Sequence, residues 1–129
     1  MCIRDRDDVY GGVFNDCHNV DENVWQLSKI HWAEVFVLMG SLPVIEHTNA
    51  AWAHDWFARQ NTWIRENFLL KPYGHHLWMA TTDRKATYNP VPSGPKDLYH
   101  HPRHLMLNLR CLDRMIGRGG RVSGLFDGQ

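Results

Sequence analysis

The segment Lys96-Asp97-Leu98-Tyr99-His100-His101-Pro102-Arg103-His104 holds the densest group of side chains able to do chemistry. Proline favours the first turn of a helix, so Pro102 places His100 on the loop that enters one. An imidazole there, with an ordinary pKa of about 6.5, can take or give a proton near neutral pH. Arg103 beside it can hold substrate oxygens or stabilise a developing enolate. The alternative is a polar helix start in solvent. Glu34 is the second candidate, set in the apolar run Ile30-His31-Trp32-Ala33-Glu34-Val35-Phe36-Val37-Leu38. A carboxylate in such a run is costly unless it is paired, so it either turns outward or faces a partner such as Arg103 or a substrate hydroxyl. Trp32 lies close by, and a flat indole suits the C–H face of a sugar.

Other chemistries find less support. His100 and His104 stand four apart and could share a helix face to bind zinc. No third ligand has matching spacing, and His75-His76 are neighbours on a strand that face opposite ways. No metal site is therefore expected. No Gly-rich phosphate loop, G-x-S-x-G elbow or cysteine motif occurs, because Gly117-Arg118-Gly119-Gly120 neither follows a strand nor opens a helix.

These residues must be held by helices. Val24, Leu27, Ile30, Val35, Leu38 and Met39 recur at helical spacing and predict a helix over 22–40, with Asp21 as N-cap and Gly40 as stop. Pro43 then breaks the chain. A second helix is expected over 48–68, with Trp52, Trp56, Phe57, Trp63, Ile64 and Phe68 giving it an apolar face wide enough to pack on more than one side. The stretch 76–82 reads as a strand, 83–85 as its turn and 86–88 as the return strand. A last helix is expected over 101–116. Residues 1–10 read as a disordered or artefactual leader, and 117–129 as a flexible tail.

The 129 residues fit one small domain or a piece of a larger one, and 43% hydrophobic content suffices for a core. Zero formal net charge gives no support for nucleic acid or a membrane surface as partner. No apolar run approaches the roughly 20 residues of a membrane span. Cys2, Cys17 and Cys111 form no disulfide pattern and predict reduced thiols in the cytoplasm.

Several pieces together resemble the N-acylglucosamine 2-epimerase family. They are Gly11-Gly12-Val13-Phe14, Trp25, Lys29-Ile30, Ala33-Glu34, Val37-Leu38-Met39-Gly40, Tyr73-Gly74, the hairpin Trp78 to Lys85 and, most specifically, Tyr99-His100-His101-Pro102-Arg103. Their order and spacing match over residues 11–116. The resemblance implies an all-α fold, here the C-terminal part of an (α/α)6 barrel with a small β-hairpin insertion. It implies a sugar 2-epimerase or aldose–ketose isomerase that moves the C2 proton through an enediol-type intermediate without a redox cofactor. It makes His100 one of two catalytic histidines, and Arg103, Glu34 and Trp32 substrate-binding residues. The family's Trp-Trp pair is not intact, since His31-Trp32 stands in its place. The second histidine of the family lies upstream of anything here, so the chain is expected to be a fragment inactive by itself. A nucleotide activator and a homodimer are compatible with the resemblance.

Two other readings compete. One is a non-catalytic helical module with a histidine zinc site. The other is a helical-barrel glycosidase, which needs two acting carboxylates where only Glu34 is placed for the task.

Overall fold

A computed structural model describes residues 6–70, 75–76, 79–80 and 99–126. Its chain order is β1 (Asp16–Asn19), β2 (Val24–Gln26), β3 (Lys29–Ile30), α1 (His31–Thr48), α2 (Ala51–Asn67), β4 (Leu69–Leu70), β5 (His75–His76), β6 (Met79–Ala80) and α3 (His100–Gly117).

Helix α1 lies at the centre. Val35, Val37, Leu38, Leu42 and Ile45 are all buried along it, because it packs on α2 and on α3. Its first half joins Trp63, Ile64 and Phe68 in one core cluster, and its second half joins Ala53 and Cys111 in another. The start of α1 thus meets the end of α2, and the pair is an antiparallel αα-hairpin turned at Asn49 and Ala50. His31 meets His104 near one end, and Glu46 meets Cys111 near the other, so α3 runs parallel to α1.

The helix expected over 22–40 is displaced toward the C-terminus. Residues 24–26 and 29–30 are strands, and α1 begins only at His31. β2 pairs antiparallel with β1 (Cys17 opposite Trp25), forming a small hairpin, and β3 pairs with β6. Val24 and Leu27, which suggested a helical stripe, are exposed, and Asn23 has φ 55°, a turn conformation. Neither Gly40 nor Pro43 stops α1. Pro43 removes one helix N–H, yet Leu42 and Ile45 on either side are buried, and tertiary packing outweighs that local defect. The helix ends instead at Asn49, which donates the last helical N–H to the Ile45 carbonyl and whose left-handed φ of 51° then turns the chain out of the helix.

The second and third helices lie within a few residues of expectation. On the wide apolar face of α2, Ala53, Gln60, Trp63 and Ile64 are buried, Trp56 lies under the Arg6 guanidinium, and Trp52 is exposed. Of the strand expected over 76–82, the described parts find earlier partners: β5 pairs with β4 and β6 with β3. The expected return strand 86–88 and the piece Tyr73-Gly74 lie outside the described residues. Among the described residues the fold is therefore mostly helical, with short antiparallel strand pairs beside the helices.

Both ends of the chain are tied down where they are described. Asp7 accepts the Val9 and Tyr10 amides at 2.9 and 3.0 Å and binds buried Lys29 at 2.7 Å. These bonds tie residues 7–10 to one another and to Lys29, while residues 1–5 of the expected leader lie outside the described residues. The tail is anchored too: Ser123 N–H donates to the Glu46 carbonyl at 3.1 Å, its hydroxyl lies 2.5 Å from His47 Nδ1, and Phe126 packs edge-on to His47. No helix among the described residues is long and apolar enough to cross a membrane.

Candidate functional site

Trp32 and Phe36 stand one turn apart on α1, on a face directed at the start of α3. Their rings meet edge to face at 5.9 Å and 86°. His100 opens α3 half-buried against both, 6.0 Å from Trp32 and 6.3 Å from Phe36 between ring centroids. Tyr99 meets His100 edge-on at 5.0 Å. Arg103, one turn into α3, lays its guanidinium 5.8 Å from the Tyr99 ring and 6.0 Å from that of Phe36. Three of the four residues singled out in the sequence, Trp32, His100 and Arg103, therefore share one partly open cluster. Phe36 completes it. The signal for Phe36 was its spacing of four from Trp32, masked by the apolar run around it.

Glu34 is placed elsewhere. Two residues on from Trp32 is about 200° around a helix, which turns its side chain away from the cluster. It is fully buried, and both carboxyl oxygens accept the Val13 N–H at 3.1 Å. The Gln60 side-chain amide donates to Oε2. The expected pairing of Glu34 with Arg103 is thus replaced by partners from the N-terminal loop and α2. Burial pushes the Glu34 carboxyl up to about 8, against the opposing pull of the Val13 and Gln60 donors and nearby Lys29. Burial opposes the Asp7–Lys29 pair as well: the Asp7 carboxyl still ends below the usual range through its Lys29 and backbone bonds, and the Lys29 ammonium ends below its own.

This carboxyl supports a closely packed loop. Gly11 and Gly12 have φ of 77° and 75°, and a Cβ on either would come within 3 Å of the Trp63 ring. Trp63 Nε1 also donates to the Tyr10 carbonyl at 2.8 Å. Only glycine adopts this backbone without cost at such close range.

Behind His100, three further imidazoles converge. His101 lies 4.9 Å from His104 and 5.3 Å from His31, which also packs on Phe68 at 5.4 Å. Among the described residues, no group of three or more His, Cys, Asp and Glu side chains is arranged to hold a metal ion. His100 and His104, the pair considered for zinc, divide between the aromatic cluster and this second group.

At the far end of α1, Glu46 is buried and gathers Arg114, Arg118 and Cys111, with contacts of 2.5 to 3.0 Å. The Arg114 bond, above all, holds the Glu46 carboxyl far below the usual range. Burial and this carboxylate push the Cys111 thiol up to about 11. The group fastens α3 to α1 and is remote from His100 along both helices. A hollow of about 530 Å³ lies between the N-terminal loop and α2, lined by Arg6, Tyr10, Gly12, Trp63 and Glu66 among others, and by none of the four expected site residues.

No family model matches the chain, and no curated protein matches it. Solved structures do. The chain is similar to the cellobiose 2-epimerase from Spirochaeta thermophila DSM 6192, with a TM-score of 0.68 and 15% identity over 81% of this chain and 26% of that one. It is also similar to a D-mannose isomerase, with a TM-score of 0.69 and 11% identity over 84% of this chain and 28% of that one. The chain thus spans little more than a quarter of either enzyme. At these identities the likeness establishes the fold: the three helices and their strand pairs are arranged as a portion of the helical fold of these two enzymes.

Proposed function

We propose that this chain supplies one half of a sugar 2-epimerase or aldose–ketose isomerase site, with His100 as proton-transfer residue. The observation that carries the reading is the joining of His100, Arg103 and Trp32 at the start of α3. The fold shared with a sugar epimerase and a sugar isomerase supports it.

In this reading Trp32 offers a face to the sugar ring, and Arg103 turns its N–H edge to the carbonyl and hydroxyl oxygens next to C2. His100 removes the C2 proton, and the electron pair left behind forms the enediol-type intermediate whose oxygen charge Arg103 steadies. Epimerisation then returns a proton to the opposite face of C2 from a second base, whereas isomerisation returns it to C1 while a second group carries the hydroxyl proton between the two oxygens; the described residues do not bring that second group to this cluster. Glu34 takes no direct part in contacting the sugar, because its oxygens are engaged by Val13 and Gln60. It holds the loop that closes over α1 and α2.

The test is to titrate the chain with N-acetylmannosamine, mannose and cellobiose while following the imidazole signals by NMR, and to assay product in parallel. A sugar-dependent change at His100, absent in His100→Ala, is expected, with no epimer or ketose formed by the chain alone. Turnover by the chain alone would overturn the half-site, and a His100 signal indifferent to all three sugars would overturn the carbohydrate reading.

A further inference from the structure

We propose that Phe36 is a positioning residue for this site, its ring holding the His100 imidazole and the Arg103 guanidinium in one orientation. The proposal rests on the carbohydrate reading for its purpose, though not for its geometry. Apolar residues beside Phe36 on α1 (Val35, Val37 and Leu38) are buried in the core, whereas Phe36 is 38% exposed. It projects instead toward the start of α3, where its ring centre lies 6.3 Å from that of His100 and 6.0 Å from the Arg103 guanidinium carbon. Trp32 braces it edge-on from one turn earlier, and Tyr99, just before α3, meets His100 and Arg103.

The physical reason lies in what a ring leaves free. A carboxylate beside Arg103 would occupy its N–H edge, the part needed for sugar oxygens. A ring beside the guanidinium, here 6.0 Å from its carbon, accepts none of its N–H groups in a salt bridge and so leaves that edge available. The same ring limits the imidazole, whose nitrogen must point at a C–H bond within a narrow angle for proton transfer. His100 and Arg103 lie three residues apart on α3, so one side chain from α1 can reach both.

The experiment uses the whole chain with labelled histidine and arginine. Ligand-free spectra of wild type, Phe36→Leu and Phe36→Tyr are compared, followed by titration with mannose, N-acetylmannosamine and cellobiose. Phe36→Leu is expected to increase the motion of the His100 ring and the Arg103 guanidinium, read by NMR relaxation rather than by shifts that loss of the ring current would itself cause, and to weaken the sugar response about fivefold, the scale of one lost ring contact. Phe36→Tyr restores both, and thermal melts of all three proteins stay alike. Unchanged relaxation of His100 and Arg103 in Phe36→Leu, or no recovery in Phe36→Tyr, would overturn the proposal. If no sugar perturbs wild type, the carbohydrate reading fails, while the ligand-free spectra still decide the role of Phe36.

Discussion

The imidazole of His100 lies 6.0 Å from the indole of Trp32, the two rings inclined at 34°. Sixty-eight positions of sequence separate them, and the parallel packing of α3 on α1 brings them together. Trp32→Ala is expected to weaken the response to cellobiose about five- to tenfold, as one aromatic platform on the order of 1 kcal/mol is lost. The His100 signal measured by NMR against sugar concentration checks this. An unchanged midpoint would remove Trp32 from the site.

Gly12 is expected to resist replacement. Its φ of 75° and the Trp63 ring 2.9 Å from any Cβ make Gly12→Ala costly on two counts. The loss is expected at about 2–4 kcal/mol, from left-handed strain together with overpacking. Urea denaturation of the two proteins gives the difference. A loss below 1 kcal/mol, on the scale of an ordinary surface change, would mean that the loop does not sit on Trp63.

Glu34 makes stability fall with rising pH. Its folded carboxyl titrates at about 8, above the ordinary 4.5, so the native state holds an extra proton between those values. Stability from this group is whole below about pH 4.5 and declines until the folded carboxyl has ionised, near pH 8. Glu34→Gln keeps the shape without the titration, so its denaturation midpoint is expected to vary less with pH from 5 to 8.5. Parallel pH curves for the two proteins would show that Glu34 is ionised throughout.

Glu46 acts in the opposite sense. Its carboxyl is held below the ordinary range, so its stabilisation is present above pH 4.5 and is lost as acid protonates it. Glu46→Gln is expected to lower the melting temperature at pH 7 and to narrow the gap from wild type at pH 3. A gap that persists in acid would mean that the Arg114 and Arg118 contacts do not depend on the charge.

Cys111 is expected to be inert. Its thiol titrates at about 11 and is buried, so little thiolate exists at neutral pH. Iodoacetamide at pH 7.5 should label half-buried Cys17 well before Cys111, with labelled peptides read by mass spectrometry. Equal rates would show that the α1–α3 contact opens readily.

Two helices and the chemical character of the His100 segment were legible in the sequence. Helix α2 carries its own repeat of apolar residues, and Pro102 announces the first turn of α3, so local preference and fold agree. The same local reasoning misplaced the start of α1, because Val24, Leu27 and Ile30 satisfy helical spacing by coincidence while β2 and β3 have strand partners elsewhere in the chain. It also ended α1 at Gly40 and Pro43, where the helix continues because packing of Leu42 and Ile45 outweighs the broken backbone bond.

By itself the sequence determined which side chains could do chemistry: an imidazole, a guanidinium and an indole, chemical types fixed before the chain folds. Only the tertiary structure decided their company. It set Trp32, His100 and Arg103 around Phe36, and it turned Glu34 beneath the glycine loop. The reason is angular. A rotation of about 100° per residue turns side chains two positions apart, such as Trp32 and Glu34, to opposite faces, and which face meets which neighbour depends on contacts between residues far apart in the chain.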